Sequence, residues 1–454
     1  MSRDFDVIVI GAGPAGEVCA GALADAGLSV AIVERERVAG ECHFFACIPS
    51  KTLLRPGEAV EGAREAPGAI EAVTGSIDAK AAFAWRNFNV TDYDDASSVE
   101  WLDEKGIELL RGSGRIAGAG TVAVGDQTIG CRHIVVATGS DPAFPPVDGL
   151  DDLEGVWTNR EATAMSDVPR RMLVLGGGPV GVEMAQVVLR MGGDVALVES
   201  EDHLLPHEAR PLGEALAPAL ERDGIELHLG RRAAAARRDG DEFALTIQDG
   251  PELRGDRLLV ATGRRPRIDG IGLETVGVDT SNGGIAVDET MAAAEGVWAV
   301  GDVTGMWPLT HVGKYQGRIA VANILGERRV ATYHAVPRVV FCDPQAAAVG
   351  ATEGAVSATV QLSGVARTST YTRRYDERND FAALLSDGQV LTGAYALGPE
   401  AGEWLQQATL AIRARVPLDV LRDTIQPFPT FSEVFVDALA ELGAAAQRRL
   451  QPVG

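Results

Sequence analysis

Positive charge is in short supply in this 454-residue chain, where 41 Lys and Arg stand against 64 Asp and Glu, a net charge of −23. Sequence-independent binding to DNA, RNA or anionic lipid rests on basic patches, so no nucleic-acid partner is expected. Long apolar runs are also missing: none approaches the roughly 18 residues that cross a bilayer. The opening stretch MSRDFDVIVIGAG runs straight into a strand pattern, without the apolar region and cleavage site of a signal peptide. The expectation is a cytoplasmic chain with no membrane partner, in which the sequon at Asn89 is a chance match. Cysteines number five, at 19, 42, 47, 131 and 342. That is no secreted disulfide framework, and a close pair in a reducing compartment is catalytic or metal-binding before it is structural. The length suggests two to four domains. A content of 46% hydrophobic and 23% charged residues is ordinary for a globular protein.

What the chain does have is a repeat. VIVIGAGPAGEVCAGALADAGLSVAIVERE from Val7 and MLVLGGGPVGVEMAQVVLRMGGDVALVESE from Met172 align without a gap at an offset of 165. Each reads as an apolar strand, a glycine loop, a helix and a second strand ending in Glu. The loops are Gly11-x-Gly13-x-x-Gly16 and Gly176-x-Gly178-x-x-Gly181, and the acids are Glu34 and Glu199. The first glycine of such a loop allows the tight turn, the second lets backbone approach a pyrophosphate, and the third lets the helix pack on the strand. The helix N-terminus offers free N–H groups to the phosphates, and the acid accepts from a ribose diol. Two such units predict two dinucleotides, most economically FAD on the first and a nicotinamide cofactor on the second. A small turn follows each unit, Ala-Thr-Gly at Thr138-Gly139 and again at Gly263, and a later strand ends in Gly301-Asp302. Glu199 favours the 2′-OH of NADH over the 2′-phosphate of NADPH, and the following Ser-Glu-Asp-His brings no compensating arginine.

The stretch GECHFFACIPSK, residues 40–51, holds Cys42 and Cys47. In an ideal helix, positions i and i+5 have Cα atoms about 8.6 Å apart. A disulfide needs less than about 7 Å, so this pair bridges only if the segment between departs from regular helix. Pro49 suits the first turn of a helix starting near Cys47, whose N-terminus would lower the pKa of a thiol there. Zinc would need two more ligands, and no second Cys/His cluster supplies them, so no metal site is expected.

Taken in order, the FAD-type loop, Cys-x4-Cys-Ile-Pro-Ser-Lys, Ala-Thr-Gly, the second loop, a second Ala-Thr-Gly, Gly-Asp and a C-terminal region resemble the FAD-dependent pyridine nucleotide-disulfide oxidoreductases over essentially the whole chain. This is the group of dihydrolipoamide dehydrogenase, glutathione reductase and mercuric reductase. The resemblance implies an α/β fold with two Rossmann-like dinucleotide-binding domains and a C-terminal α+β dimerisation domain. The FAD domain would span 1–150 and 270–330, the NAD(P) domain 151–269, and the interface domain of a homodimer 331–454. In that last region FAALLSDGQVLTGAYAL also reads by itself as a hairpin around Asp387-Gly388, and AGEWLQQATLAIRARV as an amphipathic helix. The resemblance further implies a redox-active Cys42–Cys47 pair, with Cys47 facing the flavin as thiolate and Cys42 the interchange thiol. Lys51 would pair with Glu183 beside the flavin. Asp302 would bond the ribityl chain, and Thr310 and His311 would begin a helix directed at the flavin pyrimidine ring.

The chain departs from this family at its C-terminal motif, usually His-x-His-Pro-Thr-x-x-Glu and here QPFPTFSE. Gln426 and Phe428 replace the histidines, while Thr430 and Glu433 remain. A phenyl ring transfers no proton, which removes a general base worth about 10² to 10⁴ in rate. Between the cysteines, His43-Phe44-Phe45-Ala46 replaces a Leu-Asn-Val-Gly type, making His43 a candidate substitute base. Phe431 and Phe435 would add aromatic surface near the motif, and no late cysteine pair suggests mercuric reductase. The expected enzyme passes hydride from NADH, less favourably NADPH, to FAD, then electrons to the cysteine pair and on to a non-standard small-molecule acceptor, quinone-like or a bulky organic disulfide. The alternatives are a dihydrolipoamide dehydrogenase or small-disulfide reductase, and a low-turnover flavin-bound redox sensor.

Overall fold

A computed structural model describes residues 4–450. By internal packing these form two compact units. Within the described residues the first comprises 4–49, 85–143 and 263–332, and the second 50–84, 144–262 and 333–450.

The first unit is built on an eight-stranded sheet whose main path runs Ala292–Ala294, Val297–Ala299, Gln127–Val136, Asp4–Ile10, Val30–Glu34, Glu108–Arg111. Asp4–Ile10 lies at its centre, parallel to both neighbours, with Val7 opposite Val30 on one side and His133 on the other. A central parallel strand is covered on both faces, which is why Val7 to Ile10 is an unbroken apolar run and at most 3% exposed. The helices Pro14–Asp25 and Thr310–Ile324 pack together. Their backbones come close because Gly317 has no side chain: a Cβ there would sit 3.2 Å from both Ala15 O and Cys19 Sγ.

The second unit carries a four-stranded parallel sheet ordered Glu226–His228, Asp194–Val198, Arg171–Leu175, Arg257–Val260. It also holds a five-stranded antiparallel sheet ordered Pro337–Val340, Gln345–Gly350, Leu391–Gly398, Phe381–Ser386, Val356–Gln361. The two share one core, in which Val174, Val182 and Leu197 join Val340, Phe381 and Tyr395. The C-terminal region set apart by the sequence reading therefore packs as one unit with the second glycine loop. Phe381–Ser386 and Leu391–Gly398 form an antiparallel pair turning at Asp387-Gly388, with Gly388 at φ 103°. The stretch read as one amphipathic helix is two, Ala401–Trp404 and Gln406–Ala414, separated at Leu405. Among the described residues no helix is long and apolar enough to cross a membrane.

Candidate functional site

The two glycine loops are near copies in three dimensions. Gly11 and Gly176 have φ of 107° and 112°, and a Cβ on either would come within 2.4 Å of a backbone carbonyl, Ala137 O or Ala261 O. A Cβ on Gly16 or Gly181 would lie 1.9 Å from the carbonyl oxygen of the loop's first glycine. Gly13 and Gly178 differ in kind. Both are extended caps, of the helices Pro14–Asp25 and Pro179–Arg190, and nothing in the protein lies within 4 Å of a Cβ built on them. Neither backbone strain nor packing demands glycine there; its absence of side chain leaves room for a group at the helix N-terminus.

Each loop is closed by the acid at the end of its second strand. Glu34 accepts from Ala12 N at 2.9 Å and Glu36 N at 2.7 Å. Glu199 accepts from Gly177 N at 2.6 Å, Glu201 N at 2.9 Å and Ser200 Oγ at 2.9 Å. Open space before two helix N-termini, each with a carboxylate set beside the loop, fits the phosphates and ribose of one dinucleotide per unit.

Thr138 and Gly139 follow the strand Gln127–Val136, and Arg267 straps them down by donating to Thr138 O at 2.8 Å. Gly263 lies across from them, accepting at its carbonyl from Ala143 N at 3.0 Å. Asp302 accepts from Ser140 Oγ at 2.6 Å; Ser140 Oγ accepts from Arg264 Nε at 2.7 Å, and Arg264 also binds Glu41 at 2.9 Å.

Cys42 and Cys47 form a disulfide with Cα atoms 4.9 Å apart. The chain achieves this by stopping the helix Gly40–Phe45 and starting another, Cys47–Glu65, across Ala46 at φ −139°, ψ −94°. The hydroxyl of Thr310 donates to Cys42 Sγ at 3.1 Å and lies 3.3 Å from Cys47 Sγ. The family resemblance implies only a flavin role for Thr310; it sits 268 residues from Cys42, and no local pattern joins them. His311 follows on the exposed side of the helix. The other three thiols are unreactive by comparison: burial pushes Cys19 up to about 12 and Cys131 up to about 11, and raises Cys342 as well.

His43 packs edge-on against Phe44 with ring centroids 4.6 Å apart, and burial lowers its pKa, favouring the neutral imidazole. Phe44 is 1% exposed and packs with Ala39, Val90, Phe45 and Tyr93. Arg37 lies 5.7 Å and 5.6 Å from the Phe44 and Phe45 ring centres. Phe44 is thus core rather than a surface for an acceptor.

In the second unit Lys51 Nζ donates to both oxygens of Glu183, at 3.0 and 2.7 Å. Glu183 is 4% exposed, and also accepts from Phe341 N at 3.0 Å. Lys51 Nζ lies 4.7 Å from the centre of the Phe341 ring. At the C-terminal motif Phe428 is 75% exposed. Phe431 and Phe435 correct the sequence reading: both are at most 3% exposed and belong to the core under the five-stranded sheet, so neither offers aromatic surface. Glu433 has a buried Oε2 with no hydrogen-bond partner. Among the described residues no cluster of three or more His, Cys, Asp or Glu side chains is arranged to hold a metal.

Residues 5–317 match the pyridine nucleotide-disulphide oxidoreductase family, and residues 336–439 match the dimerisation domain of the same name. A dihydrolipoyl dehydrogenase of Thermus scotoductus is 34% identical, over 97% of this chain and 98% of the relative. A mercuric reductase of Shigella flexneri is 33% identical, over 95% of this chain and 80% of its own length. Among solved structures, the Cu(II) complex of the HOCl-induced flavoprotein disulfide reductase RclA from Escherichia coli superposes with a TM-score of 0.85 at 25% identity, covering 97% of this chain and all of RclA.

Proposed function

Since the chain belongs to the pyridine nucleotide-disulphide oxidoreductases, flavoenzymes that use FAD and NAD(P)H, we propose that it is an NADH-driven reductase whose Cys42–Cys47 pair serves a quinone-like or bulky organic disulfide acceptor. The first loop with Glu34, Thr138, Gly139 and Asp302 would hold FAD, and the second loop with Glu199 and Gly263 the nicotinamide dinucleotide. When bound, FAD supplies hydride acceptance from the nicotinamide and two-electron delivery to the disulfide. Lys51, fixed by Glu183, would present an ammonium to the flavin, favouring negative charge on it. Glu199 would accept from the NADH 2′-hydroxyl and repel a 2′-phosphate.

One observation carries the choice of acceptor: an exposed Phe428 stands at the motif position where the family places its proton-transferring histidine, and the Glu433 of the same motif has an oxygen without a hydrogen-bond partner. A small dithiol substrate needs a base at that point, whereas a planar or bulky apolar acceptor gains a ring to pack on. Homodimer formation through the C-terminal region is part of the reading. It is supported by the match to the dimerisation domain and by exposed Ile425, Phe428 and Val436.

The test is anaerobic titration of the FAD-loaded protein with NADH, followed by lipoamide, small and bulky disulfides, quinones, and the ions Hg(II) and Cu(II) suggested by the relatives. A long-wavelength thiolate-to-flavin band and fast reoxidation by a quinone or bulky disulfide are expected. Rapid lipoamide turnover would instead make it a dihydrolipoamide dehydrogenase, and no turnover with any acceptor would favour a redox sensor.

A further inference from the structure

The hydroxyl of Thr310 is within hydrogen-bond reach of both sulfurs, 3.1 Å from Cys42 Sγ and 3.3 Å from Cys47 Sγ, and since neither disulfide sulfur carries hydrogen it is the donor. Thr310 is the first residue of the 15-residue helix Thr310–Ile324, so the unpaired amides of that first turn lie beside it. Phe428 stands where the family has its histidine, and His43, next to Cys42, packs its ring edge-on against Phe44. We infer that Thr310 positions and stabilises Cys42 as a thiolate once the disulfide is open, so that the interchange sulfur attacks its acceptor without a general base. This rests on the proposed passage of electrons through the pair.

The step balances without further reactants. NADH gives up a hydride, whose two electrons enter the Cys42–Cys47 bond and whose proton passes to solvent; the bond breaks and leaves two negative charges on the sulfurs. Thr310 shares its hydrogen with Cys42 Sγ and does not give it up. Attack on an organic disulfide forms a Cys42–substrate S–S bond and expels one thiolate. Cys47 then attacks Cys42 Sγ, re-forms the original bond and expels the second thiolate, and solvent protonates both products.

Apart from the Cys47 thiolate, a like charge that opposes it, the charges near Cys42 agree with this role. Glu41, its neighbour, would raise the thiol pKa if bare, but its carboxylate is bound by Arg264 at 2.9 Å. Asp302 is bonded to Ser140 at 2.6 Å. His43 and Arg37 stand on the side of Phe44, and His311 and Lys314 are exposed on the helix that Thr310 begins. A hydroxyl donor to a thiolate is a charge-assisted bond, stronger than its neutral counterpart.

The test is the pH dependence of Cys42 alkylation by iodoacetamide in the FAD-loaded protein, reduced either by NADH or by dithiothreitol and read by peptide mass. Thr310→Val is expected to raise the midpoint of the profile by about one pH unit, about tenfold slower alkylation below it, with Thr310→Ser restoring the parent profile. Thr310→Ala, with circular dichroism, stands in if the valine does not fold. An unmoved Cys42 profile would overturn the inference, as would a change confined to the Cys47 thiolate band. Failure of NADH to open the disulfide while dithiothreitol succeeds would count against the electron path alone, because the dithiothreitol-reduced profile still decides the part of Thr310.

Discussion

The two dinucleotide units share a backbone and differ in where they bury charge. Their loops agree to within a few degrees at the first glycine and have their acids bonded to equivalent amides, Ala12 N and Gly177 N. In the helix that follows, the first copy has Glu17-Val18 where the second has Val182-Glu183. One residue is a rotation of about 100° around a helix, so the two carboxylates face different surroundings. Glu183 is met by Lys51 and a backbone amide. Burial instead pushes Glu17 up to about 7, opposed only by the attraction of Lys314. The lesson is that backbone sterics and phosphate shape preserve the loop, while the helix that follows is free to set its acid in different surroundings.

The largest break of this symmetry is at the third glycine. Gly16→Ala should give protein without bound flavin, and Gly181→Ala protein that keeps its flavin but is reduced by NADH about 100-fold more slowly, since a 1 Å displacement of a bound reactant costs that much. Absorbance and stopped-flow reduction would show it, and the reverse pattern would exchange the two loop assignments. The next effect is on stability. With its folded pKa above the ordinary 4.5, Glu17 retains a proton that the unfolded chain releases, so its presence costs stability as pH rises from 4.5 through about 7. Glu17→Gln should therefore stabilise the fold at pH 8 by about 3 kcal/mol and leave it nearly unchanged at pH 4, as measured by urea unfolding. An equal gain at both pH values would refute this.

Lys51→Met leaves Glu183 buried without its cation. Because Lys51 is one-third exposed, the loss is screened to about 1–2 kcal/mol. Unfolding curves that coincide with the parent would show that Phe341 N alone satisfies Glu183. The smallest effect is expected at Glu199→Ser, which should lower the NADH-to-NADPH ratio of kcat/KM by about tenfold, or 1.4 kcal/mol. An unchanged ratio would place nucleotide choice elsewhere.

The loops and the break between the cysteines were legible because each is dictated within a dozen or so residues: φ above 100° demands glycine, and a five-residue S–S bridge demands a departure from helix. The acids were legible because the strand–loop–helix–strand unit brings each back to its loop 22 residues on. The pairing of Lys51 with Glu183 came from the family resemblance, since 132 residues separate them. Phe431 and Phe435, expected as aromatic surface, are buried, as is Phe44 between the cysteines. A phenylalanine near a motif looks the same in sequence whether it faces a ligand or a core, and here the core took all three. Thr310 shows the opposite failure, its contact with the sulfurs being set by two helices that the chain brings together only late.

That lateness matters while the protein is being made. The cysteines leave the ribosome 263 residues ahead of Thr310, and at 5–20 residues per second that is an interval of roughly 10 to 50 s. The strand Val297–Ala299, which completes the path beside Gln127–Val136, also emerges after the whole second glycine loop. For that interval the two thiols are without the hydroxyl that the folded chain sets against them.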